Sequence, residues 1–83
     1  MTYFVYILKC VSSDKKRTYV GYTNNLKKRL NKHNSGKGAK FTKGNNWIII
    51  YKKKFLSRSR AMSYEYKLKH DRKRRLKIYN NYK

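Results

Sequence analysis

The chain has 83 residues, and 24 lysines and arginines against three acidic residues give it a formal net charge of +21. That excess is more than solubility needs and implies a polyanionic partner, nucleic acid first, whose binding weakens with salt through counterion release. One domain spanning 1–83 is the expectation at this length, with no signal segment, and its longest apolar runs are far too short to span a membrane.

In chain order, Tyr3 to Val11 is β-branched and aromatic, and Thr18 to Tyr22 is again β-prone. Between them Ser12 to Lys16, with Asp14, forms a polar turn too long for a two-residue hairpin loop. The single Cys10 cannot form an internal disulfide, and as a buried thiol it suits a reducing compartment, cytoplasm or nucleoid. Thr23, Asn24 and Asn25 offer caps to a helix with Leu26 and Leu30 at i and i+4, ended by Asn34 to Gly36. Gly36 to Asn46 is a basic, Gly-punctuated loop. It lacks the G-x-x-x-x-G-K-S/T spacing and follows a helix, so it is not a nucleotide-binding loop; a backbone-contacting loop and a plain surface turn both fit. Trp47 to Phe55 is a third strand centred on Ile48, Ile49 and Ile50. Ser57 or Ser59 caps a helix reaching Lys69, and Asp71 caps a last basic segment with Leu76 and Tyr79 at i and i+3. No repeat, linker or proline divides the chain. The economical result is an α/β fold of order β-β-α-β-α-α, a three-stranded, mainly antiparallel sheet flanked by helices.

Glu65 is the residue out of place. On a helix it lies three or four positions from Ala61, Met62 and Leu68, on or beside the buried stripe, where a carboxylate needs a partner. An ion pair with Lys or Arg satisfies it; so does a metal ion. Asp14 and Asp71 stand in polar surroundings where a charge costs little. Three scattered acids cannot build a two-metal cage, whereas Mg²⁺ accepts one or two carboxylates and completes its octahedron with waters and substrate oxygens.

Phe4-Val5-Tyr6 followed by Thr18-Tyr19-Val20-Gly21-Tyr22-Thr23 resembles the two-strand signature of the GIY-YIG nuclease superfamily, with Phe4 in place of the first glycine. Asn25 to Asn34, with Leu26, Arg29 and His33, is similar to that family's L-x-x-R-x-x-x-H helix, and Gly36 to Thr42 to a loop of its small members. Ala61 to Lys69 resembles the helix that supplies the family's metal-binding glutamate. The resemblance covers nearly the whole chain.

It implies hydrolysis of DNA phosphodiester bonds with one Mg²⁺ or Mn²⁺ on Glu65 and no small-molecule cofactor. The implied catalytic set is Tyr6, Tyr19, Arg29, His33 and Glu65. Either tyrosine can be the base, once neighbouring cations or the metal lower a phenol pKa that starts near 10. Arg29 and His33, four residues apart, share a helix face and can reach one phosphate. Lys28, Lys37, Lys40, Arg72, Arg74 and Arg75 are expected to contact the nucleic-acid backbone, with Tyr51 or Tyr79 stacking on unpaired bases. His70 has no counterpart in the motif and is expected at the surface. The resemblance extends to the incision subunit of nucleotide excision repair and to a nuclease subunit for branched DNA, which points to repair or recombination on single strands, flaps or junctions. A non-catalytic, basic nucleic-acid-binding protein is the alternative. Oligomeric state and any partner protein stay open.

Overall fold

The computed structural model describes residues 1–12 and 16–82; Asp14 lies outside them. The elements are β1 (Tyr3–Cys10), β2 (Thr18–Thr23), α1 (Leu26–Asn34), a single 3₁₀ turn (Lys40–Thr42), β3 (Trp47–Phe55), α2 (Arg58–Lys69) and α3 (Arg72–Asn81). The sheet is antiparallel throughout in the order β2-β1-β3, so the first strand is central and β2 and β3 are edges.

A central strand covered on both faces needs apolar side chains in both directions, and the continuous run Val5 to Leu8 supplies them. On one face Val5, Ile7 and Val20 pack against Ala61 and Leu68 of α2, with Ile78 of α3 beside them. On the other, Tyr6, Leu8, Cys10 and Trp47 pack under Leu26 and Leu30 of α1. Between Ile7 and Leu8 the pairing to β3 shifts by one residue, a bulge that leaves Ile50 unmatched and lets both Ile50 and Tyr51 join the α2 side.

Each helix begins on a polar cap. Asn25, Ser57 and Asp71 accept hydrogen bonds from the backbone N–H of Lys28, Arg60 and Arg74. Met62, placed by the sequence on the buried stripe, is corrected: it is 46% exposed, because α2 meets the sheet through Ala61 and Leu68; α3 meets it through Ile78, leaving Leu76 40% exposed. Phe4 lies on ordinary extended backbone, since among the described residues only Gly36 and Gly44 have positive φ, so the strand has no need of glycine there.

Candidate active site

Tyr6 projects from the central strand toward the β2 edge and passes over Gly21, its cross-strand partner. A Cβ on Gly21 would lie 2.5 Å from the Tyr6 hydroxyl oxygen and 3.1 Å from Tyr19 Cε2, so this position admits no side chain. Across the edge the Tyr6 hydroxyl meets His33 Nε2 at 2.9 Å. His33 is the one fully buried residue of α1, and its other nitrogen is 2.8 Å from Thr42 Oγ1.

The tautomer follows from Thr42. Its hydroxyl donates to the Ala39 carbonyl at 2.9 Å, so it accepts from His33 Nδ1–H, and Nε2 is left to accept from Tyr6. Thr42 is in turn held by Trp47, whose Nε1–H donates to its carbonyl at 3.0 Å. The Asn34 side chain pairs with both backbone groups of Trp47, tying the end of α1 to the start of β3. Gly38 lets the loop close over the imidazole, since a Cβ there would stand 2.5 Å from His33 Nδ1. Thr42, Gly38 and Asn34 carried no individual signal in the sequence beyond their place in the loop and helix.

Burial pushes the Tyr6 hydroxyl up to about 12; Arg29 pulls against that rise, and the charges of Tyr19 and Glu65 add to it. Burial, then the Arg29 charge, pushes His33 down to about 4, so its imidazole is neutral at pH 7. Arg29 itself is held above its usual value by the two phenols, Tyr6 first. Yet its buried Nε–H has no hydrogen-bond partner. A buried, unpaired donor costs roughly 1–3 kcal/mol, and a guanidinium in that state favours an incoming anion.

Tyr19 is half-buried, its ring 4.9 Å from that of His33 and 6.4 Å from that of Tyr6. Glu65 stands on α2, which packs on the face of the sheet opposite α1, and its charge is the smallest of the influences on the Tyr6 hydroxyl. Its side chain keeps 20% of its surface, so it sits at a rim and is less desolvated than its place on the stripe implies. Its contact to Lys69 Nζ, at 3.9 Å, is long and solvent-facing, and such pairs contribute little. Among the described residues no three His, Cys, Asp or Glu side chains converge. One hard carboxylate with only a loose partner fits a single Mg²⁺-like ion completed by water and substrate oxygens, and it does not fit a paired-metal centre.

The structure thus gathers Tyr6, Tyr19, Arg29 and His33, while Glu65 lies on α2 with Lys69 as its contact. Lys28 joins Arg29 in lining a cleft of about 170 Å³ together with Thr23, Asn24, Asn25 and Lys32. Lys37 and Lys40 are exposed on the loop. The three arginines lie on α3, which packs on the opposite face of the sheet. Arg72 is exposed, Arg74 stands 5.6 Å over the Tyr64 ring, and Arg75 donates to the carbonyls of Leu68 and Lys69 at the end of α2. His70 is exposed and bonds the Tyr66 carbonyl. No helix among the described residues is long and apolar enough to cross a membrane.

Residues 2–82 match the GIY-YIG catalytic domain, a nuclease family whose members use divalent metals and act on DNA. A UPF0213 protein of Oceanobacillus iheyensis is 47% identical over 68 residues, 81% of this chain and 76% of its own. One from Staphylococcus haemolyticus is 41% identical over 92% of both chains. The solution NMR structure of a UPF0213 protein from Bacillus halodurans, 36% identical, superposes with a TM-score of 0.56 over 96% of this chain and 84% of that one. Matched over nearly its whole length by the family domain and by these relatives, the chain belongs to the GIY-YIG family, among its small UPF0213 proteins.

Proposed function

We propose that the protein is a metal-dependent DNA endonuclease acting through Tyr6, Tyr19, Arg29, His33 and Glu65, with a preference for single-stranded, flap or branched DNA in repair or recombination. The observation that carries this reading is the buried, unpaired Nε–H of Arg29 beside a Tyr6 hydroxyl already bonded to His33. A half-buried guanidinium with one unpaired donor, lining a cleft, favours a phosphodiester, whose two oxygens accept from its planar fork.

In the reaction a water beside the bound phosphate gives its proton to the Tyr6 oxygen while Tyr6 passes its own to His33 Nε2. The water oxygen bonds to phosphorus, the bond to the leaving oxygen breaks and solvent supplies that oxygen with a proton; His33 later returns its own proton through Tyr6 as product leaves. Tyr6 is a hydroxyl before and after. The relay matters because burial raises the Tyr6 hydroxyl and lowers the His33 imidazole, so a phenolate–imidazolium pair is disfavoured in the free site. A phosphate paired with Arg29 offsets part of the charge that depresses His33, which makes the imidazole a better acceptor. Tyr19, packed on His33, lends its hydroxyl to the same phosphate. A Mg²⁺ or Mn²⁺ ion on Glu65 would stabilise charge on the leaving oxygen.

The test is cleavage of labelled single-stranded, flap, junction and duplex DNA in Mg²⁺ or Mn²⁺, with EDTA as control. Cleavage that EDTA stops is expected. Tight binding with no cleavage under any metal would assign the chain to the non-catalytic nucleic-acid-binding class instead.

A further inference from the structure

Aromatic rings form a row from the buried Tyr6 to the surface. Tyr19 follows Tyr6 at 6.4 Å, and Phe41 follows Tyr19 at 6.3 Å with ring planes within 24°. Trp47 supports Phe41 from the core, 6.0 Å away and 2% exposed, whereas Phe41 itself is 51% exposed. A lone exposed apolar side chain needs no explanation, but here the outward direction is fixed. Phe41 is the middle residue of the Lys40–Thr42 turn, and Thr42 is fully buried, bonded to His33, Ala39 and Trp47. Turning Phe41 inward would pull Thr42 off His33. The Arg17 guanidinium stands 5.7 Å from the Phe41 ring centroid, and the exposed Lys40 adjoins it in sequence.

A flat, supported, half-exposed ring with cations at its side is what a nucleobase stacks on while its phosphate is held. We infer that Phe41 stacks on an unpaired DNA base next to the phosphate bound at Arg29, with Arg17 meeting the phosphate of that nucleotide. The catalytic cluster thereby selects single strands and flaps over intact duplex, in which neighbouring bases already cover both faces of each base. This rests on the nuclease reading of the site and names its substrate. The tyrosines that the sequence offered for stacking lie away from Arg29: Tyr51 packs on the α2 face of the sheet and Tyr79 is on α3.

The experiment uses the full chain in EDTA with single-stranded oligonucleotides carrying the fluorescent base 2-aminopurine at successive positions. Wild type should quench the probe at one position. Phe41→Leu, which keeps apolar volume, should abolish the quench and weaken single-strand binding about tenfold while leaving duplex binding within about twofold; Phe41→Trp should retain both. In Mg²⁺ the flap-to-duplex cleavage ratio of Phe41→Leu should fall by a similar factor. Quenching and affinity unchanged in Phe41→Leu, or single-strand and duplex binding lost in parallel with a lowered melting temperature, would overturn the inference. Since quenching is read without metal, Phe41-dependent quenching without cleavage of any DNA would support the stacking and remove the nuclease reading alone.

Discussion

Tyr6 and His33, 27 residues apart, share a 2.9 Å hydrogen bond from which solvent is excluded, and the direction of that bond is set by Thr42 on the far side of the imidazole. The chain Tyr6 to His33 to Thr42 fixes where a proton can go.

Removing the Tyr6 hydroxyl tests that chain. In Tyr6→Phe the buried Nε2 loses its donor, so stability should fall by about 1–3 kcal/mol and single-turnover cleavage by about 10²-fold or more. Tyr19→Phe removes a hydroxyl from a half-buried ring, so it should cost cleavage with little loss of stability. Two stable, active variants in a thermal melt and a cleavage assay would sink the mechanism.

The depressed pKa of His33 makes stability depend on pH. The folded value, about 4, lies below the unfolded 6.5, so the folded state binds fewer protons between the two. The contribution is therefore complete above about pH 6.5 and is lost as pH falls toward 4. Denaturant midpoints across that range should show the decline in wild type and a flatter curve in His33→Gln. An equal slope in both proteins would place the titration outside His33.

Arg29→Lys keeps the charge and removes the planar fork. Saturated single-turnover cleavage should drop about 10²-fold or more while DNA affinity changes little, because many other cations supply the binding. A twofold effect would reduce Arg29 to a solvated helix charge.

Glu65→Gln is close in size and gives up only a long, solvent-facing contact to Lys69. Stability should stay within about 0.5 kcal/mol and DNA affinity should hold, with cleavage abolished. Cleavage near the wild-type rate in Mg²⁺ would reject Glu65 as the metal's anchor.

Gly21→Ala inserts a methyl group 2.5 Å from the Tyr6 oxygen and 3.1 Å from Tyr19 Cε2, so the Tyr6 ring must shift. Loss of the Tyr6–His33 bond, read as a shifted imidazole nitrogen resonance, should accompany reduced cleavage. An unshifted resonance with full activity would show that the ring tolerates displacement.

Local patterns determined much of this protein. Strand limits, the caps Asn25, Ser57 and Asp71, and the order β-β-α-β-α-α are written in residues close to one another, because periodicity and capping act over one or two turns. The candidates Tyr6, Tyr19, Arg29 and His33 were legible through the family's spacing, and Glu65 also through its place beside an apolar helix stripe. Which face a helix buries was not: α3 offers Leu76, Ile78 and Tyr79, and only contact with the sheet selects Ile78. The same holds for Thr42 under His33, Gly38 against the imidazole, the unpaired Arg29 Nε–H and the outward Phe41. Each depends on backbone segments brought together by the packing of α1 and the loop against the sheet, and a sequence pattern carries no information about a distance until that packing exists.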